Sequence, residues 1–270
     1  MATGELAVII LAAGKGTRMK SNKAKVLHLL AGIPLIQYLL YTVRQISPQR
    51  ILMVIGYQAE EVRAVVNRVP DLDPCSRTKY RHELQSRTTH IEFVYQEEQV
   101  GTGHAVLQTY PLLKDFMGEI MVLSGDVPLL TSGSLVQLVH IHRSQKATVS
   151  FLTADLDDPK GYGRVIRGKG LEVIRVEEEK DASPQERKIR EINSGIYCFQ
   201  KDFLYEALRL INQDNQQEEY YLTDIVHIAH QRGLRVIGYK SDQPVEILGV
   251  NTREELSLME SLLQEAGRKA

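Results

Sequence analysis

The residues best suited to chemistry lie near the start of the chain, in the stretch LAAGKGTRMKSNKAKVLH at 11–28. This stretch follows an apolar run at 6–10, which is typical of a strand. Gly14 and Gly16 let the backbone approach a ligand closely and can turn amide groups toward an anion. Three cations stand in the same stretch, at Lys15, Arg18 and Lys25. The pattern predicts a phosphate-binding turn at the carboxyl end of a strand, where open α/β sheets hold their ligands.

Two familiar phosphate-binding motifs do not match this turn. A P-loop requires GxxxxGK followed by serine or threonine, whereas Gly16 is followed by TRMK. A dinucleotide-binding GxGxxG motif requires glycine where this sequence has Met19. The sequence therefore disfavours a P-loop enzyme and a nicotinamide dehydrogenase. The alternative to a phosphate site is an ordinary βα turn with exposed lysines.

The first half of the chain alternates between two patterns that must position this turn. Nearly continuous apolar runs predict strands covered on both faces, at 6–11, 50–56, 91–95 and 119–125. Amphipathic stretches predict helices between them, at 34–46, 59–69 and 101–113. This alternation favours a doubly wound α/β fold with a largely parallel sheet.

The second half is more mixed and predicts a β-rich lobe over the strand ends. Strands are expected at 147–154, 163–168, 171–179 and 194–199, and helices at 203–211 and 223–233. Residues 70–90 have little periodicity, which predicts a long surface insertion. Leucines at helical spacing predict a surface helix over 253–270.

Composition limits the classes of function. Lys and Arg total 33 against 34 Asp and Glu, so the chain lacks the basic excess of a nucleic-acid or membrane-surface binder. Its two cysteines, Cys75 and Cys198, are far apart and without metal spacing, which indicates a reducing compartment. The apolar run at 6–13 is too short to span a bilayer, and no basic region of a signal peptide precedes it. We expect a cytoplasmic protein.

The glycine turn and six later segments resemble the signature of sugar-nucleotide pyrophosphorylases. LAAGKGTRM is followed by KVLH at 25–28. The later segments are QVGTGHA (99–105), GDVPLL (125–130), GYGRV (161–165), EINSGIY (191–197), EYYLTD (219–224) and GVNTR (249–253). Each segment alone is weak, but seven in the right order are specific. Within that family the chain most resembles the N-terminal uridyltransferase domain of bifunctional enzymes that also acetylate glucosamine 1-phosphate.

The resemblance implies an α/β fold of the Rossmann-like nucleotidyltransferase (GT-A-like) type, with a mixed, mostly parallel sheet and a small β-rich sugar-binding lobe. It places the nucleotidyltransferase domain at 1–252, with 70–90 as an insertion and 253–270 as a C-terminal helix or linker. In the bifunctional enzymes, a left-handed β-helix of hexapeptide repeats carries acetyl transfer and the trimer contacts. Such a repeat does not occur in these 270 residues, so we expect no acetyltransferase domain within them, and the oligomeric state stays open.

The implied reaction transfers UMP from UTP to N-acetylglucosamine 1-phosphate and releases pyrophosphate. Because the sugar phosphate attacks the α-phosphorus in line, catalysis depends on positioning and on charge neutralisation. Lys25 resembles the family lysine that contacts phosphate near the reacting centre, and Arg18 the arginine that steadies the triphosphate. Asp126 ends a predicted strand and is expected to bind Mg²⁺, and the resemblance adds Asn251 as a second ligand. Ala24 departs from the family, which usually has proline there, and alanine restricts the loop less.

The remaining site positions fall into two groups that the resemblance defines. The nucleotide side comprises Leu11, Ala12, Ala13, Gly14, Gln96, Gly101 and Thr102. The sugar side comprises Gly163, Glu178, Asn193 and Thr223. The Gln96 amide can donate and accept at once, which suits a uracil edge. His28 and His104 are expected to be structural, because the reaction needs no such base.

Two other functions stay open at this point. The chain could act on another sugar 1-phosphate, such as glucose 1-phosphate, since a few polar contacts decide between sugars. It could also be a non-catalytic regulatory subunit that keeps the fold. The presence of Lys25, Asp126 and Asn251 together disfavours the regulatory alternative.

Overall fold

The computed structural model describes residues 5–68, 90–170 and 172–269. The predicted insertion at 70–90 therefore lies, except for its last residue, outside the described part of the chain. Elements are numbered in chain order. The central strand β1 (Leu6–Ala12) pairs in parallel with β4 (Arg50–Ile55) on one side and β6 (Glu119–Ser124) on the other. Strand β5 (Ile91–Tyr95) extends the sheet in parallel beyond β4.

The other half of the sheet contains the antiparallel pairings. Strand β10 (Glu191–Gln200) runs antiparallel to both β6 and β7 (Val149–Asp155), and β11 (Val236–Lys240) pairs in parallel with β7. The strand order is β11-β7-β10-β6-β1-β4-β5. The sheet is mixed and mostly parallel, as the sequence predicts.

The β-rich lobe is a hairpin attached to β10. Strands β8 (Arg164–Arg167) and β9 (Val173–Glu177) pair antiparallel, and Arg164 pairs with Ile192 of β10. Helix α7 (Asp224–Gln231) contacts β9. This arrangement places the lobe next to the carboxyl ends of the parallel strands.

Helices cover both faces of the sheet because apolar residues fill every position of the central strand. On β1, Val8 and Ile10 join the cluster that contains the apolar faces of α1 (Leu35–Gln45), α2 (Ala59–Val66) and α5 (Ser132–Ser144). Ala7 and Ile9 point to the opposite cluster, with α3 (Thr102–Leu107), α4 (Tyr110–Leu113), α6 (Lys201–Ala207) and α7. None of the described helices combines the length and apolar character needed to cross a membrane.

Several elements differ from the sequence prediction. The helix predicted over 101–113 is divided into α3 and α4, because the Thr109 hydroxyl donates to the Val106 carbonyl (2.6 Å) and Pro111 has no amide hydrogen. Strand β10 begins at Glu191 rather than 194, because its polar start hides the strand pattern. A short hairpin of β2 (Leu29–Leu30) and β3 (Ile33–Pro34) precedes α1. Helix α8 (Arg253–Lys269) closes the described chain.

Candidate active site

Two adjoining cavities open at the carboxyl ends of β1 and β6, and together they contain every predicted site residue. The larger, about 430 Å³, is lined by the nucleotide-side positions, including the turn after β1, Gln96 and Thr102. The smaller, about 240 Å³, is lined by the sugar-side positions, including Glu178 and Asn193. Seven residues border both cavities, and four of them are the predicted catalytic and metal-binding positions Arg18, Lys25, Asp126 and Asn251. A ligand in one cavity would meet a ligand in the other at these four residues.

The glycine turn owes its shape to close contacts with the lysine loop. Gly16 has a φ of +71°, which favours glycine, and an added Cβ would lie 2.5 Å from Lys25 Cβ. Met19 is fully buried in a small cluster with Val250 and Met259 of α8. Because Met19 directly follows Arg18 and Val250 precedes Asn251, this cluster fixes the backbone next to both side chains.

Ala24 holds the lysine loop by a hydrogen bond in place of a proline ring. Its φ of -54° is within the range that proline imposes. Its amide donates to Gln58 Oε1 (2.7 Å), and its side chain is fully buried. The loop before Lys25 is therefore restrained although the family proline is missing. Sequence inspection could not find Gln58, which lies 34 positions away.

The side chains of Arg18, Lys25, Asp126 and Asn251 form one network of charged and polar groups. Lys25 Nζ lies 2.5 Å from Asp126 Oδ2 and 3.2 Å from Asn251 Oδ1. Arg18 Nη2 donates to the same Asn251 oxygen (2.8 Å). Asp126 is 7% exposed at its side chain and Lys25 23%, so the carboxylate is held in the wall of the cleft and the ammonium faces it. The predicted phosphate-contacting cations and metal ligands thus occupy one point.

Backbone contacts bring Asp126 and Asn251 together across 125 positions of sequence. The Val250 amide donates to the Asp126 carbonyl (2.9 Å), and an added Cβ at Gly249 would lie 3.1 Å from Asp126 Oδ2.

Glu255 Oε2 accepts from the amides of Asn251 (2.5 Å) and Thr252 (2.9 Å), and its own amide donates to Thr252 Oγ1. This capping box makes Thr252 the side-chain cap of α8. The Asn251 side chain is not part of this cap and faces the cleft.

The donor set at this point fits a hard divalent cation. A carboxylate oxygen and an amide oxygen already converge on one positive charge, the Lys25 ammonium. Mg²⁺ prefers such oxygens and commonly takes one or two from protein, with phosphates and water completing its octahedron. Among the described residues no cluster of three or more His, Cys, Asp or Glu could hold a metal alone. The geometry therefore suits a metal that shares its coordination with a bound phosphate.

Gln96 presents only one end of its amide to the larger cavity. Its Nε2 lies 3.0 Å from the Gly101 carbonyl and 3.2 Å from His104 Nδ1. Because a carbonyl only accepts, the nearby atom must be the amide nitrogen, and His104 Nδ1 then accepts as well. His104 Nε2 therefore carries the ring proton, and the Gln108 amide 2.9 Å away must turn its oxygen toward it. Both N–H groups are occupied, so the expectation that this side chain donates and accepts at once is corrected. Oε1 is left as an acceptor.

The sugar-side residues surround the half-buried carboxyl group of Glu178. Glu178 Oε1 accepts from Thr223 Oγ1 (3.0 Å), and an added Cβ at Gly163 would lie 3.5 Å from Glu178 Oε2. Burial, with smaller contributions from Asp224 and other nearby carboxylates, raises the pKa of Glu178 to about 7. The backbone amide of Asn193 donates to the Gly163 carbonyl (2.9 Å), and this hydrogen bond connects β10 to the lobe. Glu178 can therefore be a donor or an acceptor near neutral pH.

The structure also adds residues to the cleft that the sequence did not single out. Ser124, Tyr162 and Tyr197 line the smaller cavity, and Tyr162 donates to the Gly249 carbonyl (3.4 Å). Both tyrosines lie within segments of the family signature, but nothing in their spacing marks them as cleft residues.

Comparison of the sequence with known families identifies a family whose enzymes act on nucleotides. The sequence model of the family described as nucleotidyl transferase matches residues 7–243. The chain belongs to the nucleotidyl transferase family. The predicted family and fold class are thereby confirmed.

Individual relatives of this nucleotidyl transferase are bacterial proteins. It is 44% identical over 267 residues to the bifunctional protein GlmU of Geobacter metallireducens, which covers 99% of this chain and 51% of that protein. It is 41% identical over 259 residues to GlmU of Desulfotalea psychrophila, which covers 96% of this chain and 70% of that protein. The chain spans about half the length of most of these curated relatives.

A solved structure shows the same fold at low sequence identity. The apo form of a UDP-glucose pyrophosphorylase superposes with a TM-score of 0.74 at 16% identity, and covers 97% of this chain and 99% of that one. At this identity the likeness concerns the fold of the nucleotidyl transferase alone.

Proposed function

We propose that the protein transfers UMP from UTP to N-acetylglucosamine 1-phosphate, giving UDP-N-acetylglucosamine and pyrophosphate. The observation that carries this proposal is the meeting of two cavities at Lys25, Asp126 and Asn251. One cavity has the turn and amide of a nucleotide site, and the other has the polar groups of a sugar site. The identity to GlmU proteins along nearly the whole chain supports the choice of substrates.

In this reaction an oxygen of the sugar phosphate forms a bond to the α-phosphorus of UTP as the bond to pyrophosphate breaks. The protein supplies no covalent nucleophile, so its task is to align two polyanions and offset their charge. Lys25 would stabilise charge on the transferring phosphoryl group, and Arg18 would hold the triphosphate next to it. Mg²⁺, held by Asp126 and Asn251, would neutralise phosphate charge when bound.

Recognition of the two substrates would fall to separate walls of the cleft. Gln96 Oε1 would accept from the N3–H of uracil, because both N–H groups of this amide are occupied. A cytosine ring offers an acceptor at that position, so the same amide would disfavour CTP. Glu178 and Asn193 would hydrogen-bond the sugar, with Thr223 holding the Glu178 carboxyl group.

A substrate panel tests this function. Pyrophosphate release is measured with UTP, CTP, TTP and ATP, each combined with N-acetylglucosamine 1-phosphate or glucose 1-phosphate in Mg²⁺. We expect release only when a nucleotide and a sugar phosphate are both present, with UTP and the acetylated sugar giving the highest kcat/KM. A higher kcat/KM for glucose 1-phosphate would overturn the sugar assignment, and the absence of release with every pair would overturn the transferase assignment.

A further inference from the structure

Tyr197 carries a buried hydroxyl group with no hydrogen-bond partner among the described residues. The side chain is 1% exposed and lines the smaller cavity with Glu178 and Asn193. An unpaired buried hydroxyl destabilises a folded protein, because its hydrogen bonds to water are lost without replacement. Such groups are rare in native proteins, and each calls for an explanation.

The packing of the ring does not explain the hydroxyl. Tyr197 stacks between Phe151, with ring centroids 5.2 Å apart, and Phe199, with centroids 5.3 Å apart. Its strand pairs with Val122 on one side and with Phe151 on the other. A phenylalanine would make the same apolar contacts at this position and would leave no polar atom unpaired.

The polar neighbours of this hydroxyl are Glu178 and Asn193, the two residues proposed to hydrogen-bond the sugar. Burial raises the pKa of Tyr197 and the Glu178 carboxylate raises it further, whereas the Asn193 side chain lies near enough to the hydroxyl to oppose the rise. The hydroxyl nevertheless completes no hydrogen bond with either side chain. Asn193 Oδ1 accepts from the Gly195 amide (3.2 Å), and Glu178 uses Oε1 for Thr223. The Asn193 side-chain nitrogen, Nδ2, and Glu178 Oε2 complete no hydrogen bond within the described chain. Three unused polar groups therefore lie together beside the sugar cavity.

We propose that Tyr197 is a positioning residue of the sugar site, whose hydroxyl gains its hydrogen bond when a sugar 1-phosphate draws the Asn193 and Glu178 side chains into the cavity. It then holds these two side chains in the orientation that binds the sugar. The inference rests on the proposed function, in which Glu178 and Asn193 contact the sugar. The unpaired hydroxyl makes the free protein less stable than a protein with phenylalanine at position 197. The hydrogen bond formed in the complex with the sugar 1-phosphate offsets this loss.

The Tyr197→Phe variant tests the inference by separating stability from sugar binding. We expect the melting temperature of the free protein to be unchanged or higher, because the unpaired group is removed. The KM for N-acetylglucosamine 1-phosphate should rise about three- to tenfold, the scale of one lost hydrogen bond. The KM for UTP should stay within about twofold, and the melting-temperature rise caused by the sugar phosphate should shrink.

Tyr205→Phe is the matched control in the same core. Tyr205 is also buried, but its hydroxyl lies 2.7 Å from Thr109 Oγ1, and it lines neither cavity. This variant breaks a paired hydrogen bond, so its melting temperature should fall while its sugar KM stays at the wild-type value. The two substitutions delete the same atom and are expected to have opposite effects.

Two results would overturn the positioning role. One is a Tyr197→Phe protein whose sugar KM lies within twofold of wild type. The other is an equal rise of both KM values with a lower melting temperature, which would mark a general structural defect. If the wild type transfers no uridylyl group, the proposed function fails separately. The melting-temperature rise with sugar 1-phosphate then decides the role of Tyr197, because it should be smaller in Tyr197→Phe and an equal rise would refute the role.

Discussion

The Lys25 ammonium lies 2.5 Å from Asp126 Oδ2 at the point where the two cavities meet. A cation thus already compensates the carboxylate that we propose as a metal ligand. The pair compensates a buried negative charge and holds the lysine at the proposed reacting centre. When the metal and the triphosphate bind, Asp126 would pair with the metal and Lys25 with phosphate. The ion pair between Lys25 and Asp126 could then open without leaving either charge uncompensated.

Asp126→Asn should remove most turnover while the protein stays folded. The substitution keeps the size of the side chain and removes the charge that would hold the metal, so kcat should fall by on the order of a hundredfold or more. Pyrophosphate release in Mg²⁺ measures the loss, and circular dichroism verifies the fold. Wild-type turnover of a folded Asp126→Asn protein would exclude this carboxylate from the metal site.

Lys25→Met should lower kcat more than it raises the KM for either substrate. A charge that acts mainly in the transition state contributes to kcat, and one preorganised donor corresponds to about a hundredfold. Lys15→Met is the matched control, since Lys15 borders the same cavity but its ammonium lies 5.4 Å from the Tyr57 ring centroid, and no hydrogen bond or ion pair within the described chain joins it to Asp126 or Asn251. It should affect chiefly the KM for UTP. A change confined to KM in Lys25→Met would reduce Lys25 to a binding residue.

The hydrogen bond from Ala24 to Gln58 should be replaceable by a proline. Gln58 has a φ of +52°, which asparagine tolerates, so Gln58→Asn keeps the backbone but shortens the reach to Ala24. We expect kcat to fall about three- to tenfold as the loop loosens. Adding Ala24→Pro should restore activity, because the ring fixes φ near its present value. A double variant as slow as Gln58→Asn would show that this restraint does not position Lys25.

The half-buried carboxyl of Glu178 should make stability depend on pH. Its pKa is about 7 in the folded protein against an ordinary 4.5, so between these values the folded state binds more protons than the unfolded state. Unfolding free energy then decreases as pH rises through this range. The melting temperature of Glu178→Gln minus that of wild type should therefore grow from pH 4.5 to 7. The difference isolates Glu178 from Asp224, whose pKa is also raised, to about 6. A constant difference across the range would contradict the burial of this charge.

The parallel half of the fold could be read from the sequence because its signals are local. The apolar runs at β1, β4, β5 and β6 are long enough to mark strands buried on both faces. The break between α3 and α4 and the early start of β10 were missed, since each depends on a single side-chain contact or on polar residues within a strand. Local patterns therefore gave the layers of the fold but not the places where the chain departs from regular structure.

From local pattern alone, the sequence predicted only those site residues that directly follow a recognisable strand. The glycine turn and Asp126 stand at strand ends, so chemistry and position agreed. Asn251 came from the family resemblance, because no spacing rule connects it to Asp126 across 125 positions. Gln58 and Tyr197 act through contacts distant in sequence, and only three-dimensional packing identifies them. The orientation of the Gln96 amide likewise depends on the carbonyl and imidazole that surround it.

The most direct test of uridylyl transfer at this site is a ³¹P NMR time course of the wild-type protein with UTP, N-acetylglucosamine 1-phosphate and Mg²⁺. Attack on the α-phosphorus predicts that the two signals of the UDP-sugar and the signal of pyrophosphate grow together as UTP disappears, with the pyrophosphate signal equal to the sum of the other two because it comes from two equivalent phosphorus atoms. Omitting the sugar phosphate should stop all three. Formation of UDP or free phosphate from UTP, or no change in the spectrum, would contradict the account.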